Sequence, residues 1–361
     1  MNELLEHLKK RIAAEGPFSV ADYMSEALAN PKYGYYMTGD PLGKEGDFIT
    51  APEISQMFGE LIGLWCATVW HQMGSPKKIN LIEIGPGRGT LMVDALRALV
   101  MAPEFLAAID VHLIETSPAL KKRQQRNLES LEAEIYWHES FAGVPEGPFI
   151  LVANELLDAL PIHQYEKSVA GWGERKVGCN DAGELTWLLD QNAIVPDAFI
   201  PGALADEPPG SIFEFCQSGV YLITNIAESI AEFGGAALFI DYGHERSGIG
   251  DTLQAVKDHQ YHDVLRDPGK ADLTAHVDFQ RLAETAQAVG AATYGPITQR
   301  NFLGPLGIEH RAKQLHDAAS TRQKVDVQSG LNRLIGEDEM GTLFKVLAIT
   351  HPDQPKPEGF G

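Results

Sequence analysis

Cysteine is scarce in this chain: Cys66, Cys179 and Cys216 are the three among 361 residues, and no two form a C-x-x-C pair. That spacing argues against a disulfide framework or a zinc knuckle and fits a reducing compartment. Basic charge is scarce too. Fifty Asp and Glu stand against 29 Lys and Arg, a formal net charge of −21. Nucleic acid is therefore not an expected partner, because neutralising phosphates needs a concentration of Lys and Arg that is missing here, whereas a cationic acceptor would be steered in. Long apolar runs are missing as well: none approaches the roughly 18 residues that a membrane-spanning helix needs. The N-terminus, Met1-Asn2-Glu3-Leu4-Leu5-Glu6, carries early acids rather than a basic-then-apolar signal. Together these absences set the expectation of a cytoplasmic protein with no membrane span.

What the chain does contain is a glycine cluster in a telling place. A β-rich run at 80–84 meets Gly85-Pro86-Gly87-Arg88-Gly89, and Leu91, Ala95, Leu96 and Leu99 follow at helical spacing. The pattern reads as strand, tight turn and helix. Glycines let the backbone approach a ligand that a Cβ would block, and the N–H groups of a helix start suit an anion. A dinucleotide fingerprint, G-x-G-x-x-G, would put its last glycine at Thr90. The glycines stand instead at 85, 87 and 89, with Glu83 two residues ahead. This E-x-G-x-G-x-G is similar to motif I of class I S-adenosylmethionine (SAM) methyltransferases, which implies that Glu83 faces the ammonium of the cofactor and the helix start its carboxylate.

Taken in order, the chain opens with two helices, the second capped by Ser19 and reaching Ala29. The stretch 30–46, rich in Gly, Pro and Tyr, is expected to be irregular. A helix over 53–73 follows, and the polar loop before it, with Asp47, Thr50, Pro52 and Glu53, is placed where a lid over a cofactor would lie. A second strand at 110–114 ends in Glu115, positioned to accept from the vicinal hydroxyls of a ribose. Ser117-Pro118 then caps a helix. A third strand, 134–138, runs into Glu139, Ser140 and Phe141, the place where a class I methyltransferase meets adenine.

The fourth strand, 148–153, is apolar throughout, as a strand buried on both faces should be. It delivers Asn154, Glu155 and Asp158 to the carboxyl edge, where ligands bind in such sheets. Short strands at 164–167, 174–179 and 185–189 read as an antiparallel insertion. A fifth strand, 236–240, ends in Asp241. His259 and His262 lack neighbouring cysteines or i,i+4 spacing, so no metal site is expected. A sixth strand (292–298), helices at 308–316 and 327–335 and a last strand (342–349) complete the pattern, and the proline-containing tail after His351 is expected to be disordered. The expected partition is an N-terminal helical extension with the lid loop (1–75), a core (76–163 and 219–350), an inserted β-rich subdomain (164–218) and the tail (351–361).

The alternation of strands and helices argues a doubly wound α/β sheet of Rossmann-like type. Six blocks, GDFITAPEIS (46–55), IEIGPGRGTLM (82–92), NELLDALP (154–161), FIDYG (239–243), LTAHVDF (273–279) and MGTLFKVLAI (340–349), resemble in the same order those of the MidA-like family, whose mitochondrial members are complex I assembly factors acting as protein arginine methyltransferases. The resemblance implies the class I methyltransferase fold, SAM as donor, and arginine in a protein acceptor, with a respiratory complex I subunit as a candidate. Glu155 would then hold the guanidinium, Asp158 or Asp241 would assist, Asn154 would serve the methionine end or the acceptor, and Asp47 to Glu53 would close over the cofactor. A nicotinamide oxidoreductase is disfavoured by the missing fingerprint. A non-catalytic SAM-binding assembly factor and a small-molecule methyltransferase are the alternatives.

Overall fold

In the computed structural model, which describes residues 2–38, 50–131, 133–193, 195 and 200–361, the apolar run before the glycine cluster becomes the strand Ile79–Ile84, buried at every position. It lies between Ile109–Ile114 and Phe149–Asn154, parallel to both. Ile135–His138 continues the parallel array on one side and Gly235–His244 on the other. The last strand, Phe344–Thr350, runs antiparallel to Gly235–His244 and to Ala292–Thr298, which forms the edge. Strand order reverses at Ile79–Ile84, and polar residues that follow its carboxyl end face the crevice where ligands bind in open α/β sheets. This is the class I methyltransferase fold, with an N-terminal helical extension and an inserted β-rich subdomain.

The chain forms two units. One comprises Met1–Phe48, Asp158–Tyr221 and Arg246–His276; the other comprises Ile49–Leu157, Leu222–Glu245 and Val277–Gly361 and contains the sheet just described. These boundaries run differently from the partition expected from the sequence. In the first unit, helices Glu3–Glu15 and Val20–Ala29 are capped by Asn2 and Ser19, whose side-chain oxygens accept from Leu5 and Asp22 main-chain N–H groups. Their buried Leu4, Leu8, Val20, Tyr23 and Met24 share a core with Val177 and Leu273. The three expected inserted strands are His163–Ser168, Gly171–Cys179 and Leu185–Asp190, and two more join them, Phe18–Ser19 and Ile212–Phe215. Segments Gln254–Lys257, Gln260–His262 and Asp272–Thr274 form a separate small sheet.

Three expectations need correction. The helix expected over 53–73 is two helices, Ala51–Ile54 and Gln56–Gln72. Ser55 divides them because its backbone is extended (φ −161°) and its hydroxyl accepts from Met57 N–H to cap the longer one. Within the stretch expected to be irregular, Tyr35–Thr38 makes a helical turn, while 39–46 lie outside the described residues. The tail is ordered. Phe360 is buried against Phe302, ring centroids 5.4 Å apart, and Trp65 Nε1 donates to the Glu358 carbonyl at 3.0 Å. Proline content signalled an irregular path, but a buried aromatic anchor sets its position. Among the described residues no helix is long and apolar enough to cross a membrane.

Helix Gln56–Gln72 packs on the helix that follows the glycine turn, Thr90–Ala98, and two glycines set their separation. A Cβ at Gly63 would come within 2.7 Å of Ala95 Cα and 2.8 Å of its carbonyl oxygen, and one at Gly59 within 2.8 Å of Asp94 Cβ. Backbone stands on the other side, so the clash cannot be relieved by a rotamer. Gly63→Val should therefore lower stability by about 1–3 kcal/mol or more, the range for overpacking a tight interface, read as a reduced denaturation midpoint at unchanged m-value. An unchanged midpoint would show that the two helices separate freely.

Candidate active site

The glycine turn has the backbone that its composition implied. Gly85, Gly87 and Gly89 sit at φ 67°, 53° and 79°, values that a Cβ penalises, and a Cβ on Gly85 would press on Leu156 Cδ1 at 3.0 Å. Gly89 caps Thr90–Ala98 without a side-chain bond, so main-chain N–H groups at that helix start are suited to an anionic group. Glu53, in the short helix Ala51–Ile54, accepts from the Thr90 hydroxyl and lies 3.8 Å from Arg88 Nη1. Thr50 caps that short helix with its backbone and Pro52 fills its first turn. The segment is thereby tied to the glycine turn. Asp47 lies outside the described residues.

Two buried acceptors stand beside the turn. Glu83 is 3% exposed and Asn154 is 8% exposed, and Glu83 Oε2 and Asn154 Oδ1 have no hydrogen-bond partner among the described residues. Glu83 pairs in register with Val152 on the parallel neighbour, and Asn154 is two residues beyond Val152, so both side chains leave the same face of the sheet. Burial, with the nearby Glu115 charge adding to it, pushes the Glu83 carboxyl up to about 8. Unmatched buried acceptors of this kind are costly unless a donor meets them. A ligand ammonium supplies donors and positive charge together.

Glu115 follows the second strand and is held on both oxygens: Oε1 accepts from Ser117 N–H at 2.7 Å and Oε2 from Gln124 Nε2 at 3.0 Å. Burial raises its pKa, tempered by the Ser117 N–H, Gln124 and the Thr116 N–H. Gln124 is fully buried and was missed from the sequence. Its signal was present in the stripe Leu120, Gln124, Leu128, a polar residue in the middle of three positions that helix Pro118–Leu128 buries.

The loop after the fourth strand is held in an unusual backbone. Glu155 has φ 50°, a left-handed conformation uncommon for a side-chain-bearing residue. Strained positions of this type gather at functional sites. Its N–H donates to the Ile240 carbonyl at 2.9 Å, and its Oε1 accepts from Ala51 N–H at 2.8 Å and Asn154 Nδ2 at 3.0 Å. Asp241, buried to 1% exposure, spends Oδ2 on Leu157 N–H at 2.8 Å and Oδ1 on Tyr242 N–H at 2.9 Å. It ties the loop to the fifth strand, a task different from the assisting carboxylate expected of it. Asp158 begins its segment of the first unit, where its carbonyl accepts from Ala275 N–H at 2.9 Å and its charge contributes to raising the buried Tyr36 hydroxyl.

The residues expected at adenine are placed less favourably. Glu139 and Ser140 are exposed, and half-buried Phe141 turns its ring edge-on to Phe149, the first residue of the fourth strand. The structure thus brings together Glu53, Glu83, the glycines, Glu115, Asn154, Glu155 and Asp241 within one unit, while Phe141 spends its ring at the amino end of a strand rather than at the carboxyl edge.

Comparison with known proteins fits this geometry. A family model described as "S-adenosyl-L-methionine-dependent methyltransferase" matches residues 61–297. Protein arginine methyltransferase NDUFAF7, mitochondrial, of Xenopus laevis is 40% identical over 96% of this chain and 84% of its own length. The chain belongs to the MidA-like family of SAM-dependent methyltransferases. The human protein of the same name is 38% identical over 96% of this chain and 83% of its own length. A crystal structure of a Burkholderia thailandensis protein bound to S-adenosylhomocysteine superposes with a TM-score of 0.86 at 28% identity, covering 99% of this chain and 94% of that one.

Membership of the MidA-like family makes the chain a SAM-dependent methyltransferase, and the residues present fit SAM. The orphaned Glu83 and Asn154 acceptors suit its ammonium, the open helix start after Gly89 its carboxylate, and Glu115 its ribose. The expectation of a cytoplasmic protein is corrected here: the relatives are named as mitochondrial proteins, and neither charge nor the lack of an apolar run encodes that compartment.

Without ligand, Glu83 is protonated below about 8. A bound ammonium favours the carboxylate, so binding below that pH expels a proton, and each unit of pH is a factor of about ten in affinity. Affinity for S-adenosylhomocysteine should therefore rise from pH 6 to 8 and level off, with proton release visible in calorimetry across buffers of different ionisation enthalpy. In Glu83→Gln the slope should vanish. A slope that survives this substitution assigns the linkage to another group.

Proposed function

We propose that this enzyme transfers the methyl group of SAM to arginine in a protein acceptor. The reading is supported by the relatives named protein arginine methyltransferase, which match it over nearly its whole length. It is also supported by the carboxylate that the fourth strand presents at its end, Glu155, in a conformation held from three sides. The net charge of −21 favours the approach of a cationic acceptor. The resemblance to mitochondrial complex I assembly factors makes a complex I subunit the first acceptor to try.

When bound, SAM supplies an electrophilic methyl on its sulfonium. The protein has the harder task, since a guanidinium is cationic at any ordinary pH and must be oriented and relieved of a proton. A carboxylate does both, accepting an N–H bond from the guanidinium and then its proton. Glu155 is the residue in that role. The Ala51 N–H and the Asn154 amide fix the rotation of its side chain through Oε1. Asp241 acts at one remove by holding Leu157, two residues along the same loop. In-line placement and exclusion of water then account for most of the acceleration.

Glu155→Gln keeps the shape of the side chain and removes its charge. It should reduce transfer of labelled methyl into protein by about a hundredfold or more, the scale for losing an acid–base group, while affinity for S-adenosylhomocysteine stays within about threefold. Mass spectrometry of the labelled protein should locate the methyl on arginine. Label on another residue type would overturn the acceptor assignment, and lost cofactor affinity would move Glu155 into the cofactor site.

A further inference from the structure

Gln124 joins three parts of the cofactor side of the site that are distant in sequence. Its Nε2 donates to the Gly87 carbonyl at 2.8 Å and to Glu115 Oε2 at 3.0 Å, and its Oε1 accepts from Trp137 Nε1 at 2.9 Å. The orientation of the amide is settled by these partners, because an indole N–H only donates while a carbonyl and a carboxylate only accept here. Both amide hydrogens and the oxygen are in use, on a residue with no solvent exposure. The helix also passes close to the glycine turn: a Cβ added at Gly89 would stand 3.5 Å from Gln124 Cγ and 3.6 Å from Leu128 Cδ1.

We propose that Gln124 is a positioning residue for cofactor binding that acts through Glu115, holding its carboxylate in the plane that accepts the ribose hydroxyls. Ser117 N–H anchors one oxygen and Gln124 the other, so the carboxylate cannot rotate about its last bond without breaking a charge-assisted hydrogen bond. Without the amide, only main-chain N–H groups hold the carboxylate and its orientation must be set in part by the ligand at the ligand's expense. No other neutral side chain offers two donors and an acceptor at this reach, which distinguishes Gln124 from a residue that merely fills space. The proposal rests on the reading of Glu115 as ribose acceptor.

The test uses the full chain and two probes, S-adenosylhomocysteine and 5′-methylthioadenosine, which keeps ribose and adenine but lacks the amino-acid end. Gln124→Met should weaken both by the same factor, about tenfold, the scale of a lost hydrogen bond to a charged group. The factor should largely disappear when Glu115→Gln is already present, since the two act in series. Gln124→Glu, equal in volume, should weaken both probes as well, and it decides the matter if the methionine variant fails to fold. The Trp137 indole proton resonance, assigned with Trp137→Phe, should move when 5′-methylthioadenosine binds to the native chain and stay still in Glu115→Gln. A loss confined to S-adenosylhomocysteine would place the action at Gly87 and overturn the proposal. So would undiminished affinity in both Gln124 variants while Glu115→Gln weakens binding, which leaves the ribose reading standing. If Glu115→Gln alone changes neither probe, the ribose reading falls and the proposal falls with it.

Discussion

A carboxyl group buried at the end of a central strand is expensive to ionise, and most of the site is arranged around one such group. Glu83 sits among apolar neighbours with Glu115 close enough for its charge to be felt, and burial and that charge both oppose ionisation. Hydrophobic burial of the strand Ile79–Ile84 fixes where the group must be; it cannot retreat into water without disrupting the register on both sides. Without a ligand the carboxyl avoids that cost by staying protonated, and a cationic group beside it favours the ionised form. The ammonium of SAM is suited to do so, and Asn154 adds a second acceptor from the adjacent strand.

The remaining pieces are placed to suit the rest of that ligand. Three left-handed glycines turn the chain from the strand into a helix start, and Gly59 and Gly63 let a neighbouring helix press against that helix with almost no gap. Glu53 links the short helix Ala51–Ile54 to the turn through Thr90, while Ala51 links it to Glu155. One short helix therefore touches both the glycine turn and Glu155, the carboxylate proposed to hold the acceptor. A few hydrogen bonds thus connect the two without passing through the sheet. Asp241, from the fifth strand, closes the same loop from the opposite direction.

Much of this was legible in the sequence because parallel strands buried on both faces must be apolar from end to end, and glycines spaced by two before an apolar helix have few other uses. The strand ends followed, and with them Glu83, Glu115, Asn154 and Glu155. What escaped was long in range or hidden in a pattern. Glu155 bonds Ala51 across 104 residues, and nothing local announces such a contact. Gln124 sits in an apolar stripe as a polar exception, which reads equally well as an exposed position. Ser55 looked like part of a continuous helix because the apolar stripe runs past it, whereas its extended backbone restarts the helix one residue later. The tail carried prolines that suggested disorder, and the anchoring by Phe360 against Phe302 depends on a partner nearly sixty positions away. Compartment was not encoded in composition at all.

The most direct test is a crystal structure of this chain with S-adenosylhomocysteine. In the expected arrangement the ligand amino group lies within about 3 Å of both Glu83 and Asn154, normal hydrogen-bond distance, with its carboxylate at the helix start after Gly89 and its ribose hydroxyls on Glu115. An amino group turned to solvent, with Glu83 still lacking a partner, would contradict it.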